Sequence, residues 1–249
     1  MNGSVLFASL SNKHSDRQTD RQTELRFYIY IRFGSTEQTN FITETSDNNL
    51  YNTNDIAIVF FDLETGGLKV GKDILQIAMK NENLCFNVYI TPTQSIDKSA
   101  SSATMLTRSG RQLYLNGREV PTVQRKLAFL KIIEFLKSLN KNVILVAHNC
   151  KFDYSHFVHA DKELSLIDEF SQIIIGFTDL IPLFKLKLPN RPNKYSLKVL
   201  GEELLKISMN AAHNAVFDID VLEKLCVTYL DIKDIIKTKI TIKDIIENN

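Results

Sequence analysis

Apolar residues run unbroken from Ile56 to Phe61, long enough for a strand buried on both faces, and the run stops at Asp62-Leu-Glu-Thr-Gly-Gly67. Asp73–Met79 is a second strand candidate, and Leu84–Ile90 alternates as a third, half-exposed strand. Together they predict an antiparallel meander. Thr91–Leu115 is polar and rich in Ser and Thr, which reads as a long loop with a short helix. Pro121-Thr122 then opens a helix, with Thr122 as its cap and apolar Leu127, Leu130, Ile133, Leu136 and Leu139 along it. Asn142–Ala147 is another buried-type strand, followed by a helix from about Lys151. Ser171–Thr178 is a further strand, ending at Asp179. A basic loop with Pro189 and Pro192 spans Lys185–Lys198. Helices follow over Leu197–Leu205 and Asn214–Leu230. Strands first, then alternating helix and strand, predict a mixed α/β sheet with helices on its faces.

The two ends of the chain carry weaker patterns. Residues 1 to about 24 are polar and contain the repeat Asp16-Arg-Gln-Thr-Asp-Arg-Gln-Thr23, a low-complexity composition expected to be disordered. Leu25–Phe33 has strand propensity, and Gly34–Asn54 is loop-like. The expected division is an extension over 1–54, a domain over 55–230 and an amphipathic helical tail over 231–249. The tail repeats Ile-Lys-Asp-Ile-Ile at 232–236 and 242–246, a pattern suited to packing or to a partner rather than to chemistry.

Composition excludes more than it selects. Thirty Lys and Arg against 29 Asp and Glu leave a net charge of +1, so any phosphate binding must come from a local patch or from metal. Three scattered cysteines, Cys85, Cys150 and Cys226, offer neither zinc spacing nor a disulfide framework and suit a reducing, intracellular compartment, with nucleus and cytoplasm not separable. No apolar run reaches membrane-spanning length.

The chemistry lies in the carboxylates. Asp62 and Glu64 are separated by one residue, so on a strand they point the same way. Two like charges at the end of a buried strand are costly unless a cation neutralises them. Asp153 lies just past another buried strand, where open α/β sheets place ligands. Asp218 shares a helical stripe with Ala215, Leu222, Leu225 and Tyr229, on the face that should be buried. His213 precedes it by five positions, about 140° round a helix, so it must lie at or before the helix entrance. There it suits a general base. Asp62, Glu64, Asp153 and Asp218 can converge around two divalent ions roughly 3.5–4 Å apart, arranged for in-line displacement at phosphorus. Hard oxygen ligands favour magnesium or manganese over zinc.

Asp62-Leu-Glu-Thr-Gly-Gly67, then Ala147-His-Asn-x-x-Phe-Asp153, then His213-x4-Asp218, in this order, resemble the three motifs of the DEDDh 3′–5′ exonucleases over roughly Asp55 to Leu230. Gln76 and the segment Phe86–Thr104 resemble the three-prime repair exonuclease branch and the exonuclease-like domain of a promyelocytic leukaemia protein isoform. The resemblance implies a ribonuclease-H-like fold, with the meander joined by parallel strands and helices on both faces. It implies two Mg2+ ions, with Mn2+ as a substitute, held by Asp62, Glu64, Asp153 and Asp218, and His213 as the base. It also implies Leu68, Asn149, Phe152, Thr65 and Gly66 as substrate-binding positions. The implied partner is the 3′ end of single-stranded or frayed DNA, cut to 5′-nucleotides, with no membrane and no small organic cofactor. The resemblance also admits a homodimer.

Where the family usually has Thr-Gly-Leu, this chain has Thr104-Met105-Leu106, which is expected to reshape the pocket for the terminal base. Lys185, Lys187, Arg191, Lys194 and Lys198 form a run free of acids that could track phosphates, and Arg108, Arg111 and Arg118 are a second set. The alternatives are a 3′–5′ exoribonuclease on the same scaffold, a catalytically silent nucleic-acid-binding or interaction module, and a partner-binding protein acting through its tail.

Overall fold

A computed structural model describes residues 30–31, 53–192 and 194–247 of the chain. The disorder expected for residues 1–24 lies outside the described residues, as does the loop expected for 34–54 up to residue 52; Thr53–Asp55 form a 3-10 turn. In chain order the elements are β1 (Tyr30–Ile31), β2 (Ile56–Thr65), β3 (Ile74–Asn81), β4 (Leu84–Ile90) and α1 (Lys98–Thr104). Then come β5 (Leu106–Ser109), β6 (Gln112–Leu115), β7 (Arg118–Val120), β8 (Thr122–Val123), α2 (Arg125–Ser138), β9 (Asn142–Ala147) and α3 (Cys150–Leu164). The chain continues through α4 (Ile167–Ser171), β10 (Ile174–Asp179), α5 (Leu180–Lys187), α6 (Leu197–Leu204), α7 (Ala215–Tyr229), α8 (Ile232–Lys237) and α9 (Ile242–Glu247).

The main sheet runs β1-β4-β3-β2-β9-β10, with β8 added beside the end of β4. The pairs β1–β4, β4–β3 and β3–β2 are antiparallel, and β2–β9 and β9–β10 are parallel. β2 therefore sits between the meander and the parallel half, which is why its sequence is apolar on both faces. Ala57, Val59, Phe61 and Leu63 pack under α2, α3 and α9, while Ile56 and Phe60 pack under α5, α6 and α7. This alternation carries Asp62 and Glu64 to the α7 side. The mixed α/β sheet with flanking helices follows the expectation from the sequence.

Three segments differ from that expectation. Between α1 and β8 the chain folds into a second, three-stranded antiparallel sheet, β5-β6-β7, rather than a loop. Leu106 and Leu113 bury against Leu75, and Gly110 (φ 58°), Asn116 (φ 51°) and Gly117 (φ 75°) make its two tight turns. Thr122 does not cap a helix: it pairs beside Tyr89, and its hydroxyl bonds that of Thr91 at 2.9 Å, so α2 starts after Gln124. Residues Ile167–Ser171 are helical, and the strand before Asp179 starts only at Ile174.

The C-terminal repeat packs across the outer edge of β10. Its first copy buries Ile235 in the α7-side core, and its second buries Ile242 and Ile245 in the α3-side core. Between them, Ile240 exchanges two backbone hydrogen bonds with Phe177, at 2.8 and 2.9 Å. A Cβ at Gly176 would lie 2.8 Å from the Ile240 carbonyl oxygen, so glycine permits this approach.

Candidate active site

Four carboxylates and one histidine meet where β2 ends. Strand β2 delivers Asp62 and Glu64, the first turn of α3 delivers Asp153, and the first turn of α7 delivers Asp218. One ligand atom from each of Glu64, His213 and Asp218 lies within 4.8 Å of the others. Gln76 ties this corner together. It lies opposite Glu64 in the ladder, is fully buried, donates to Asn87 Oδ1 at 2.9 Å and accepts from Ala215 N at 3.4 Å, holding the start of α7 against the sheet.

His213 sits before α7, as its spacing from Asp218 requires, in the left-handed region at φ 65°. Its backbone N–H donates to Asp218 Oδ2 at 2.9 Å, which leaves the imidazole exposed at the site. Asp218 Oδ1 is buried with no hydrogen-bond partner among the described residues. Asp153 Oδ1 accepts from Leu63 N at 3.2 Å, tying the start of α3 to β2.

The electrostatics are those of crowded, buried anions. Burial pushes the Glu64 carboxyl up to about 8, helped by the charge of Asp218. Burial raises Asp218 to about 6, against the stabilising His213 N–H. Asp62 and Asp153 are raised well above the carboxylate range, first by burial; Asp153, Glu64 and Asp218 add to the effect at Asp62. Such groups relax only by protonation or by a cation among them. The all-oxygen donor set with one imidazole, and the unpartnered Asp218 oxygen, fit a hard divalent ion.

Three of these groups border a cavity of about 320 Å³. Asp62, Glu64 and His213 reach it; Asp153 and Asp218 are not among the residues that line it. Of the expected substrate positions, Leu68, Asn149, Phe152 and Thr65 line the cavity. Leu68 is 81% exposed at its mouth. Phe152 packs its ring 4.7 Å from that of the buried His156. Gly66 is not a lining residue: its N–H donates to the Asp73 carbonyl, its own carbonyl accepts from Asp97 N, and Gly67 faces the cavity instead. A Cβ at Gly67 would meet Asp97 Oδ2 at 2.1 Å, so a larger residue there would displace the Asp97 carboxylate from its place beside Lys72.

Sequence reasoning missed two parts of this wall. The first is α1, whose Ser99, Ala100, Ala103 and Thr104 form one side of the cavity. The signal was present in the small residues at helical spacing after Asp97. The second is Asp179, read only as a strand end. Its Oδ1 accepts from both Asn149 N and Ile181 N, each at 3.0 Å, and so pins the left-handed corner (φ 62°) on which Asn149 stands. Met105 stands beside the cavity wall rather than in it. It is the left-handed C-cap of α1 (φ 59°), its N–H bonds Ser101 O, and it is not among the residues lining the cavity. The basic run also differs from expectation: Lys187 pairs with Asp234 at 2.8 Å and Arg191 with Glu203, leaving no continuous acid-free stripe.

Comparison with solved structures gives the fold a precedent. E. coli exonuclease I in complex with a dT13 oligonucleotide overlays 70% of this chain at TM-score 0.56 and 16% identity, using 41% of its own chain. Another exonuclease I structure, solved in connection with processivity, matches at TM-score 0.57 with the same identity and coverage. A 3′-exonuclease solved in 3′-end specific recognition of a histone mRNA stem-loop matches 69% of this chain and 80% of its own, at TM-score 0.50 and 13% identity. The chain spans about two fifths of the exonuclease I chains it matches. No curated protein matches it. The family model described as Exonuclease matches residues 59–226, more than half of the sequence and every acidic group of the site, and the chain therefore belongs to the exonuclease family.

Proposed function

We propose that this protein is a metal-dependent 3′–5′ exonuclease of the DEDDh type, acting on the terminal phosphodiester of single-stranded or frayed DNA and releasing 5′-nucleotides. The observation that carries this reading is the meeting of Glu64, His213 and Asp218 within 4.8 Å on a cavity that Asp62 also enters. Asp62, Glu64 and Asp218 would hold one Mg2+, and Asp62 with Asp153 a second. Bound there, the ions supply Lewis-acid charge at the phosphoryl oxygens and lower the pKa of water. His213, exposed and fixed through its backbone by Asp218, takes the proton of the attacking water. Leu68 offers an apolar face to the terminal base, and Asn149 and Phe152 flank the scissile nucleotide. Three unpaired cysteines support an intracellular setting. The segment Phe86–Thr104 supports placement near the three-prime repair branch.

A second reading, exoribonuclease action, is supported by the split among fold neighbours, one holding dT13 and one recognising an mRNA 3′ end. Equal-sequence DNA and RNA, labelled at the 5′ end and incubated with Mg2+, test both. Progressive shortening from the 3′ end is expected, abolished by chelation and by Asp218→Asn, and slowed roughly 10²–10⁴-fold by His213→Ala. Faster loss of the RNA would select the second reading. Binding without shortening, indifferent to both substitutions, would overturn both.

A further inference from the structure

The wall of the cavity has an outer side. Helix α1 turns Ser99, Ala100, Ala103 and Thr104 inward, and the opposite side of the helix, with Lys98, Ser101 and Ser102, borders a second, open cavity of about 650 Å³. Thr107 and Arg108 of β5 close the far side of that second cavity. A third hollow, about 240 Å³, is lined by Arg111, Arg125 and Lys126 around the start of α2. From Lys98 to Lys126 the sequence has six cations, Lys98, Arg108, Arg111, Arg118, Arg125 and Lys126, and a single acid, Glu119, while the whole chain is almost neutral.

Of the acids near these hollows only Asp97 is paired with a cation among the described residues; Asp73, which lines the third hollow, and Glu119 accept from neutral donors. Glu119 accepts from Gln112, Asp97 pairs with Lys72 at 2.7 Å, and Asp73 accepts from Thr93 N, Thr93 Oγ1 and Gln94 N. Arg125 is matched to Glu163 at 2.8 Å. Arg108 is held by carbonyls, those of Gly110 and Gln94, which fix its guanidinium without neutralising it. Lys98, Arg111 and Lys126 make no ion pair among the described residues. Gathering like charges on one shoulder is unfavourable unless an extended anion runs over them.

We infer that the single strand leaves the active site across α1 and lies on this basic shoulder, its phosphates tracked by Lys98, Arg108, Arg111 and Lys126. The small side chains of α1 make the ridge low enough to cross, and the serine hydroxyls donate to phosphate oxygens. The β5-β6-β7 sheet is thus a strand-guiding appendage, built on Leu106 and Leu113 and presenting Arg108 and Arg111 outward. The inference rests on the nuclease reading, but its test is a binding measurement that needs no cleavage.

A labelled 12-nucleotide single strand is titrated with the full chain in the presence of chelator, over a series of salt concentrations. The variants are Lys98→Glu, Arg111→Glu and Lys126→Glu, with Lys243→Glu on α9 as a reversal of the same charge elsewhere; thermal melts show that each is folded. Each shoulder variant should weaken binding several-fold, and loss of each contact should make the slope of log affinity against log salt shallower by about 0.7. Lys243→Glu should bind as the parent protein does. Equal losses in all four variants, no loss in any, or no binding by the parent would overturn the inference. Shortening in Mg2+, assayed on the same preparation, decides the nuclease reading independently.

Discussion

At the residue scale, the clearest anomaly outside the active site is Asp161. It is wholly buried on α3, neither carboxylate oxygen has a hydrogen-bond partner among the described residues, and burial with the nearby charges of Glu169 and Asp168 raises its carboxyl to about 7. A raised acid pKa means that the folded state holds a proton the unfolded chain has lost. Stability is then greatest below the unfolded value near 4 and declines as pH rises through about 7. Asp161→Asn should flatten that decline, read as a melting temperature that changes less between pH 5 and pH 8 than in the parent protein. The residues of the active site were legible because their chemistry is written in spacing. Asp62 and Glu64 alternate on one strand face, and the five-residue step from His213 to Asp218 forced the histidine out of the helix, where it is found. The backbone roles of Gly66 and Met105 were not legible: one spends its polar groups on loop partners, the other supplies a left-handed cap.

At the scale of elements, strands β2, β4 and β9 were readable because burial on one or both faces leaves a plain period in the sequence. The β5-β6-β7 sheet was not. Only Leu106 and Leu113 of its strands are fully buried, and three- and four-residue strands leave almost no period. Its one strong local signal was Asn116-Gly117 between Leu115 and Arg118, the pair that a two-residue hairpin favours. Cooperation between elements is just as hard to see in sequence, and the β9–α3 and β10–α5 corners depend on it. Asp179 holds both, so Asp179→Ala should remove the α5 cap and free the Asn149 corner. It should cost about 1–2 kcal/mol in denaturant unfolding and raise KM for an oligonucleotide more than it lowers kcat. Asp179→Asn, which keeps an acceptor oxygen, should restore most of both. A KM equal to that of the parent protein would show that Asn149 needs no such anchor.

At the scale of the whole molecule, the buried acids couple stability to cation supply. Without metal, burial raises the Glu64 carboxyl to about 8 and Asp218 to about 6, so stability falls as pH rises from the unfolded carboxyl values of about 4 through about 6 for Asp218 and about 8 for Glu64. Mg2+ should therefore raise the melting temperature, and by more at pH 8.5 than at pH 5.5; scanning calorimetry at the two pH values, with chelator and with millimolar Mg2+, checks the difference. A shift that is the same at both pH values would mean the ion binds elsewhere.

The strap formed by the C-terminal repeat has a consequence for how copies of this chain meet. An open sheet edge is a template on which another molecule can add a strand. Here Ile240 occupies backbone positions of Phe177 that a foreign strand would need, and the isoleucines on either side anchor it to both cores. Ile240→Pro deletes the N–H that bonds Phe177, without removing a core side chain. Samples of that variant warmed below their melting point should scatter light and bind an amyloid dye sooner than the parent protein, whose margin is already taken.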